Sequence, residues 1–402
     1  MKQIRKFSKA ELEKAGIPKN VQMVVSKKCQ LATRGGYCNV PRGGETLELI
    51  EYDIGDVLSI IDIFSALRLE IKVLGGNISD NRPAFMAIID RMNKRDVNYA
   101  ITDNAINRAT IMEAIDRYGV KGFVFSLDSL KSQPKFGHLP GKDLGGCSTI
   151  KSKAALELIP EIRDSVDYLA VNTIIHAINL EQIVPIVKYC TEELAGTIVN
   201  LCPIICGSLP GEHEKNLYIF RVPTETVLSY VLQEKHKTRF AQLMDELIEL
   251  KESGCTIGVP VEYLELLKEN TCGKFTWNCG DLKECPILRL FPDGTFGVCS
   301  DLVGSDMYRA GLTPFNLLST NDHVYTEQDK QRNNKGGVIG FTAKLTAEDL
   351  ARNFAKINEA WLADRDRLLC CQKSGCVWSN ILIAWIYQQK GYGTLSATKK
   401  NL

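Results

Sequence analysis

Residues 21–38, VQMVVSKKCQLATRGGYC, open as a short apolar run and break into a polar loop that carries two cysteines. A run of this length, rich in valine and closed by Ser26-Lys27-Lys28, reads as a buried strand. Cys29 and Cys38 therefore follow the C-terminal end of a first strand, where open α/β sheets and barrels bind their ligands. Thiols in that position point to a metal or iron–sulfur centre.

The same reading extends outward to about residue 205. Apolar, β-rich stretches begin near residues 21, 70, 97, 122, 167 and 196. Between them lie helical patterns with apolar residues three and four apart, as in Phe85, Ile88, Ile89, Met92 and in Ile111, Met112, Ile115, Tyr118. A third is Ala155, Leu156, Leu158, Ile159. Strands alternating with helices pair in parallel through right-handed crossovers. Six such units are too few for an eight-fold barrel. The expectation is an α/β fold, a partial (β/α)6 barrel within residues 1–205, then a bridging region at 206–270 and a smaller, cysteine-rich α+β domain at 271–402.

Composition narrows the function classes. The chain has 402 residues, 45% apolar and 24% charged, with a formal net charge of +1. That balance suits a globular protein with a large core and leaves no basic footprint for nucleic acid. The first sixteen residues are charged and lack the apolar core of a signal peptide. The longest late apolar run, residues 381–387, is too short to span a bilayer. No membrane or nucleic-acid partner is expected, and the expected location is cytoplasmic. Fourteen cysteines without an export signal are unsuited to disulfides, because the cytosol keeps thiols reduced. Cys190 and Cys255, and with them Cys202 and Cys206, read as small apolar side chains.

The strand ends carry a resemblance. In order they read CQLATRGGYCNV, VLGGNISD, AITDNA and FVFSLDS, then AVNTIIHAIN and TIVNLCPI. This order resembles the radical S-adenosylmethionine (SAM) enzymes, whose members show a cysteine loop, a Gly-Gly-Glu-like turn, a Thr-Asn-Gly-like end and a Ser-Leu-Asp-like end on strands one to four. The resemblance covers about residues 20–205. It implies a 4Fe–4S cluster held by thiolates, here Cys29 and Cys38, with one iron left to bind SAM. Cleavage of the sulfonium then yields a 5′-deoxyadenosyl radical that abstracts hydrogen from a substrate.

The resemblance further implies that Gly75 and Gly76 let backbone approach the methionyl amino group, with Asn77 at the place of the family's glutamate. Tyr37 stands at the aromatic position near the adenine, and Ser126, Asp128 and Asn172 would contact the ribose or the carboxylate. The bland reading of these three is strand-end capping and loop hydrogen bonding. The first loop departs from the family: eight residues separate its two cysteines, and Thr33-Arg34-Gly35 stands where a middle cysteine belongs. A distant residue such as Cys147 completes the set, or a non-cysteine ligand does, or the cluster is weak or absent.

The C-terminal third has its own pattern. Pro292-Asp293-Gly294 is a turn signal between residues 288–291 and 295–298, which predicts a β-hairpin. Cys279 or Cys285 before it, Cys299 after it, and Cys370, Cys371 and Cys376 later resemble the auxiliary-cluster extension called SPASM or twitch. A structural zinc site is the competing reading. Thr346 and Asp349 form a capping-box pair that predicts a helix running from there to about Leu369, and residues 239–253 predict another helix with Phe240, Leu243, Leu247 and Leu250 on one stripe. His176 is the one histidine near a strand end, and a hydrogen-bonded structural role is expected of it.

Taken together, these features predict a radical SAM oxidoreductase or maturase acting on a small molecule or a peptide. By the same resemblance it has an auxiliary cluster and an electron donor such as flavodoxin or ferredoxin. The alternative is a relative that keeps the barrel and binds metal or a partner without radical chemistry.

Overall fold

A computed structural model describes residues 6–14, 17, 19–26, 29–31, 54–132, 134–137, 146–204, 230, 232–269, 287–290, 296–297, 346–352, 383 and 386. The six expected strands are present: β1 (Asn20–Ser26), β2 (Glu70–Gly75), β3 (Tyr99–Asp103), β4 (Val120–Ser126), β5 (Val166–Ile175) and β6 (Ile198–Pro203). Helices alternate with them: α1 (Lys9–Lys14), α2 (Ile54–Ala66), α3 (Arg82–Lys94), α4 (Arg108–Tyr118), α5 (Gly146–Ile162) and α6 (Leu180–Glu192). Further on come α7 (Lys237–Glu252), α8 (Val261–Glu269) and the short strands β7 (Ile287–Leu290) and β8 (Phe296–Gly297).

Strands β1 to β6 pair in parallel in chain order, as right-handed crossovers require. The result is the partial (β/α)6 barrel. Alternation along each strand sends one set of side chains to the helices and the other to the concave face. Ile71, Val73, Ile101, Phe123, Phe125, Leu169 and Val171 are buried on the helix side, against the buried stripes of α3 (Phe85, Ile88, Ile89, Met92) and α5 (Ala155, Leu156, Leu158, Ile159). The three helical stripes read from the sequence thus form the outer wall of the core, with Met112 and Tyr118 of α4 packed at its margin.

The ends of these helices follow local chemistry. Asn81 caps α3 by accepting from Ala84 N (3.3 Å), and Pro83 follows within the first turn, where a missing N–H costs nothing. Gly119 closes α4 with φ +67°, a conformation that a Cβ disfavours. The Thr346–Asp349 pair is a capping box: Asp349 N donates to Thr346 Oγ1 (3.1 Å) and Thr346 N to Asp349 Oδ2 (3.0 Å), opening the helical residues 347–352. An equivalent Ser8–Glu11 box opens α1.

Both edges of the six-stranded sheet are covered. Beyond β6, Val199 N donates to Thr256 O and Gly258 N to Val199 O, both at 2.8 Å, so residues 256–258 satisfy its outer edge. On the other side β7 pairs in parallel with β1 (Asn20 opposite Ile287, Met23 opposite Leu290), and β8 returns antiparallel to β7. The predicted hairpin is therefore present, and it extends the barrel's own sheet to eight strands. The predicted turn at 292–294 lies outside the described residues; the edge that the hairpin strands join was decided by β1 having a free ladder.

Candidate functional site

The mouth is built from the C-terminal ends of the strands. Register places Thr102 beside Val124, Val124 beside Ala170, Ser126 beside Asn172 and Asn172 beside Asn200. Thr102, Ser126, Asn172 and Asn200 therefore share the concave face. Gly75 ends β2 at the same mouth, and Gly76 and Asn77 follow it. Deeper on this face Gly122 lies against Tyr168: a Cβ there would be 2.9 Å from both the Cβ and the carbonyl oxygen of Tyr168.

A hydrogen-bond network joins the loops after β1, β2 and β3. Asn104 Nδ2 donates to Cys29 Sγ at 3.8 Å, and Gln30 N donates to Asp80 Oδ2 at 2.9 Å. Gln30 Nε2 reaches Asn107 Oδ1 (3.3 Å), whose own Nδ2 donates to Asp80 Oδ1 (2.7 Å) and Ser79 Oγ (3.1 Å). Asn77 Oδ1 accepts from Asn104 N (3.2 Å), and Asn77 Nδ2 donates to Ser79 Oγ (3.2 Å) and to Asp80. Asn77 is thus a brace between strand ends.

Asp103 is buried beneath, accepting from Ala105 N (2.9 Å) and Ser79 N (3.1 Å). Burial raises its pKa; the N–H donors oppose that, and the charge of Asp80 adds to it.

A second network joins β4 to β5. Ser152 Oγ, on α5, accepts from Asp128 N (3.0 Å) and Ser129 N (3.2 Å). Asp128 is fully buried; its Oδ1 accepts from Ile174 N (3.1 Å) and its carbonyl from Asn179 Nδ2 (3.2 Å). These contacts are the loop-bracing role that the bland reading gave Asp128. Asn172 Oδ1 accepts from Asn200 Nδ2 at 3.2 Å.

His176 is wholly buried, its Nδ1 accepting from Ile178 N (3.2 Å), which fits the expected structural role. Cys190 is also fully buried, and burial alone pushes its thiol up to about 12, so it behaves as a small apolar side chain. Cys255 packs half-buried at the core margin, and Cys202 is half-buried near the end of β6.

Cys147 lies in the first turn of α5 and is buried. Tyr37, Cys38, Cys206, Cys279, Cys285, Cys299, Cys370, Cys371 and Cys376 lie outside the described residues. Among the described residues no three His, Cys, Asp or Glu side chains converge as metal ligands. Sequence reasoning passed over Ser152, Asn200 and Asp80. Ser152 carries no local signal, since its partners lie more than twenty residues away; Asp80 and Asn200 were visible in the quoted VLGGNISD and TIVNLCPI strand ends.

No protein-family profile and no curated protein matches the chain. Among solved structures it is similar to SuiB of Streptococcus suis bound to S-adenosylmethionine, at 14% identity over 73% of this chain and 64% of that one, with a TM-score of 0.49. It is also similar to methylornithine synthase PylB (10% identity, 62% and 78% covered, TM-score 0.35). A third is HydG, a maturase of the [FeFe]-hydrogenase (11% identity, 89% and 85% covered, TM-score 0.40). The chain thus spans just under two thirds of the length of SuiB. The fold assignment rests on the strand order and register described above: this is an α/β protein of the partial-barrel class, with a thiol and a row of amides and hydroxyls at the strand C-termini.

Proposed function

We propose that the protein is a radical SAM enzyme. The observation that carries this reading is Cys29, held by Asn104 at the same barrel mouth as Gly75-Gly76, Ser126 and Asn172, in the strand order of that family. The donor chemistry fits in what is described: Cys29 offers one thiolate, its sulfur already receives an N–H, and buried Thr102 Oγ1 on the concave face has no hydrogen-bond partner among the described residues. Cys29 and Cys38 would hold a 4Fe–4S cluster. Bound there with SAM, such a cluster supplies a 5′-deoxyadenosyl radical that abstracts hydrogen.

The chain's own part is to seat SAM and shape the mouth. In this reading the Gly75-Gly76-Asn77 turn lets backbone approach the amino group, Tyr37 lies near the adenine, and Ser126 and Asn172 line the ribose and carboxylate side, while buried Asp128 braces the β4 loop. Cys279, Cys285, Cys299, Cys370, Cys371 and Cys376 supply an auxiliary iron–sulfur site, and the substrate is a small molecule or peptide. Among the described residues no helix is long and apolar enough to cross a membrane. A reducing cytoplasm, with a flavodoxin- or ferredoxin-like donor, suits a chain of fourteen cysteines.

The two-cysteine loop favours a second reading, a barrel relative that binds metal without radical chemistry. Anaerobic reconstitution followed by iron and sulfide quantification and a 5′-deoxyadenosine assay separates them. The expected result is iron uptake and SAM cleavage, both lost in Cys29→Ala and Cys38→Ala. Full iron loading with no 5′-deoxyadenosine under any reductant would leave the second reading standing.

A further inference from the structure

We propose that Asn104 is a positioning residue for the Cys29 sulfur, holding it with an amide N–H whose direction the surrounding loop dictates. The inference deepens the reading of Cys29 as an iron ligand and rests on it. Asn104 is 4% exposed, and its Nδ2 donates to Cys29 Sγ at 3.8 Å. The amide cannot be reversed without loss, because Oδ1 accepts from Ile106 N at 3.1 Å, and a flipped amide would set NH2 against that N–H. Its backbone N–H is tied to Asn77 Oδ1 (3.2 Å), and Asn77 is tied in turn to Ser79 and Asp80. The next residue after the cysteine is pinned from the other side, Gln30 N to Asp80 Oδ2 at 2.9 Å.

Two strand-end loops thus converge on one cysteine, and the group they bring to its sulfur is a donor. An N–H aimed at a ligating sulfur stabilises added negative charge, which raises the reduction potential of an iron–sulfur centre and fixes the ligand's orientation. An amide at position 104 supplies that donor without adding a charge beside the carboxyl groups of Asp80 and Asp103.

The plain alternative is that Asn104 serves only its own turn, through Ile106 N. Asn104→Ser separates the two: a serine hydroxyl can accept from the N–H two residues on, is neutral, and is too short to reach the sulfur. In anaerobically reconstituted protein titrated with dithionite, Asn104→Ser is expected to keep its iron content and melting temperature. Its cluster potential should shift to a more negative value; an unshifted potential would overturn the inference.

A second measurement needs no cluster. Cd2+ is titrated into iron-free protein, and protection of Cys29 from alkylation is read on the tryptic peptide that begins at that residue. Half-protection should require roughly tenfold more Cd2+ in Asn104→Ser, the size expected when a ligand loses its outer partner. Equal concentrations in the two proteins would also overturn it. If the unmodified protein takes up no iron, the radical SAM reading falls, and the Cd2+ result alone decides the role of Asn104.

Discussion

Burial of His176 predicts that the barrel loses stability in acid. The residue follows β5, is wholly buried, and packs edge-on against Tyr230 with ring centroids 5.1 Å apart. Its Nδ1 accepts from Ile178 N, and its own backbone N–H donates to Asn179 Oδ1 at 2.9 Å. Burial holds its pKa at about 4, down from 6.5, with the charge of Asp128 opposing the shift only in part. A folded-state value below the unfolded one means the unfolded chain takes up the proton first. Stability is therefore fully present above about pH 6.5 and is lost as pH falls toward 4. A gap of about 2.5 units at about 1.4 kcal/mol each amounts to roughly 3 kcal/mol, with about 2.5 kcal/mol of it gone by pH 4.5.

The comparison protein is His176→Asn, whose amide oxygen can accept from Ile178 N and does not titrate. Urea unfolding followed by circular dichroism at pH 7.5, 6.5, 5.5 and 4.5 should show the wild-type protein losing that amount relative to the variant. A wild-type minus variant difference that stays constant from pH 7.5 to 4.5 would refute the reasoning. So would an imidazole resonance of His176 titrating near 6.5.

Two further substitutions test how the mouth is held. Gly122→Ala should destabilise by about 1–3 kcal/mol, because the new Cβ meets the Tyr168 carbonyl oxygen at 2.9 Å, and backbone must move to admit it. An unchanged urea midpoint would show that the two strands can part at no cost. Ser152→Ala leaves the buried N–H groups of Asp128 and Ser129 without their acceptor, at about 1–3 kcal/mol for each group left unsatisfied. Amide hydrogen exchange at those two positions should quicken well beyond any change in global stability; exchange rates equal to wild type would remove Ser152 as the anchor of the β4 loop.

The networks at the mouth share a design. Their braces are mostly neutral amides and hydroxyls, with Asp80, Asp103 and Asp128 each receiving backbone or amide N–H groups. Such an arrangement fixes the positions of the loops. Asn77 is part of the same bracing, committed to Ser79, Asp80 and Asn104.

The strand and helix succession was legible in the chain itself. Period-two and 3.6-period burial are properties of a few neighbouring residues, so the runs at 20–26, 70–75 and 120–126 and the stripe from Phe85 to Met92 declared themselves. Parallel order followed from their alternation, and the 292–294 turn signal announced the β7–β8 hairpin. What only the tertiary structure decided lies across long separations: β7 joining the free edge of β1, Tyr168 covering Gly122, Ser152 reaching back to the β4 loop, Asn200 meeting Asn172, and Asn104 facing Cys29. None of these partners lies within a few residues of the other in the chain, so no local periodicity encodes them. They arise because strand register and helix packing bring distant loop ends to one mouth, where each buried polar group must find the partner that the fold supplies.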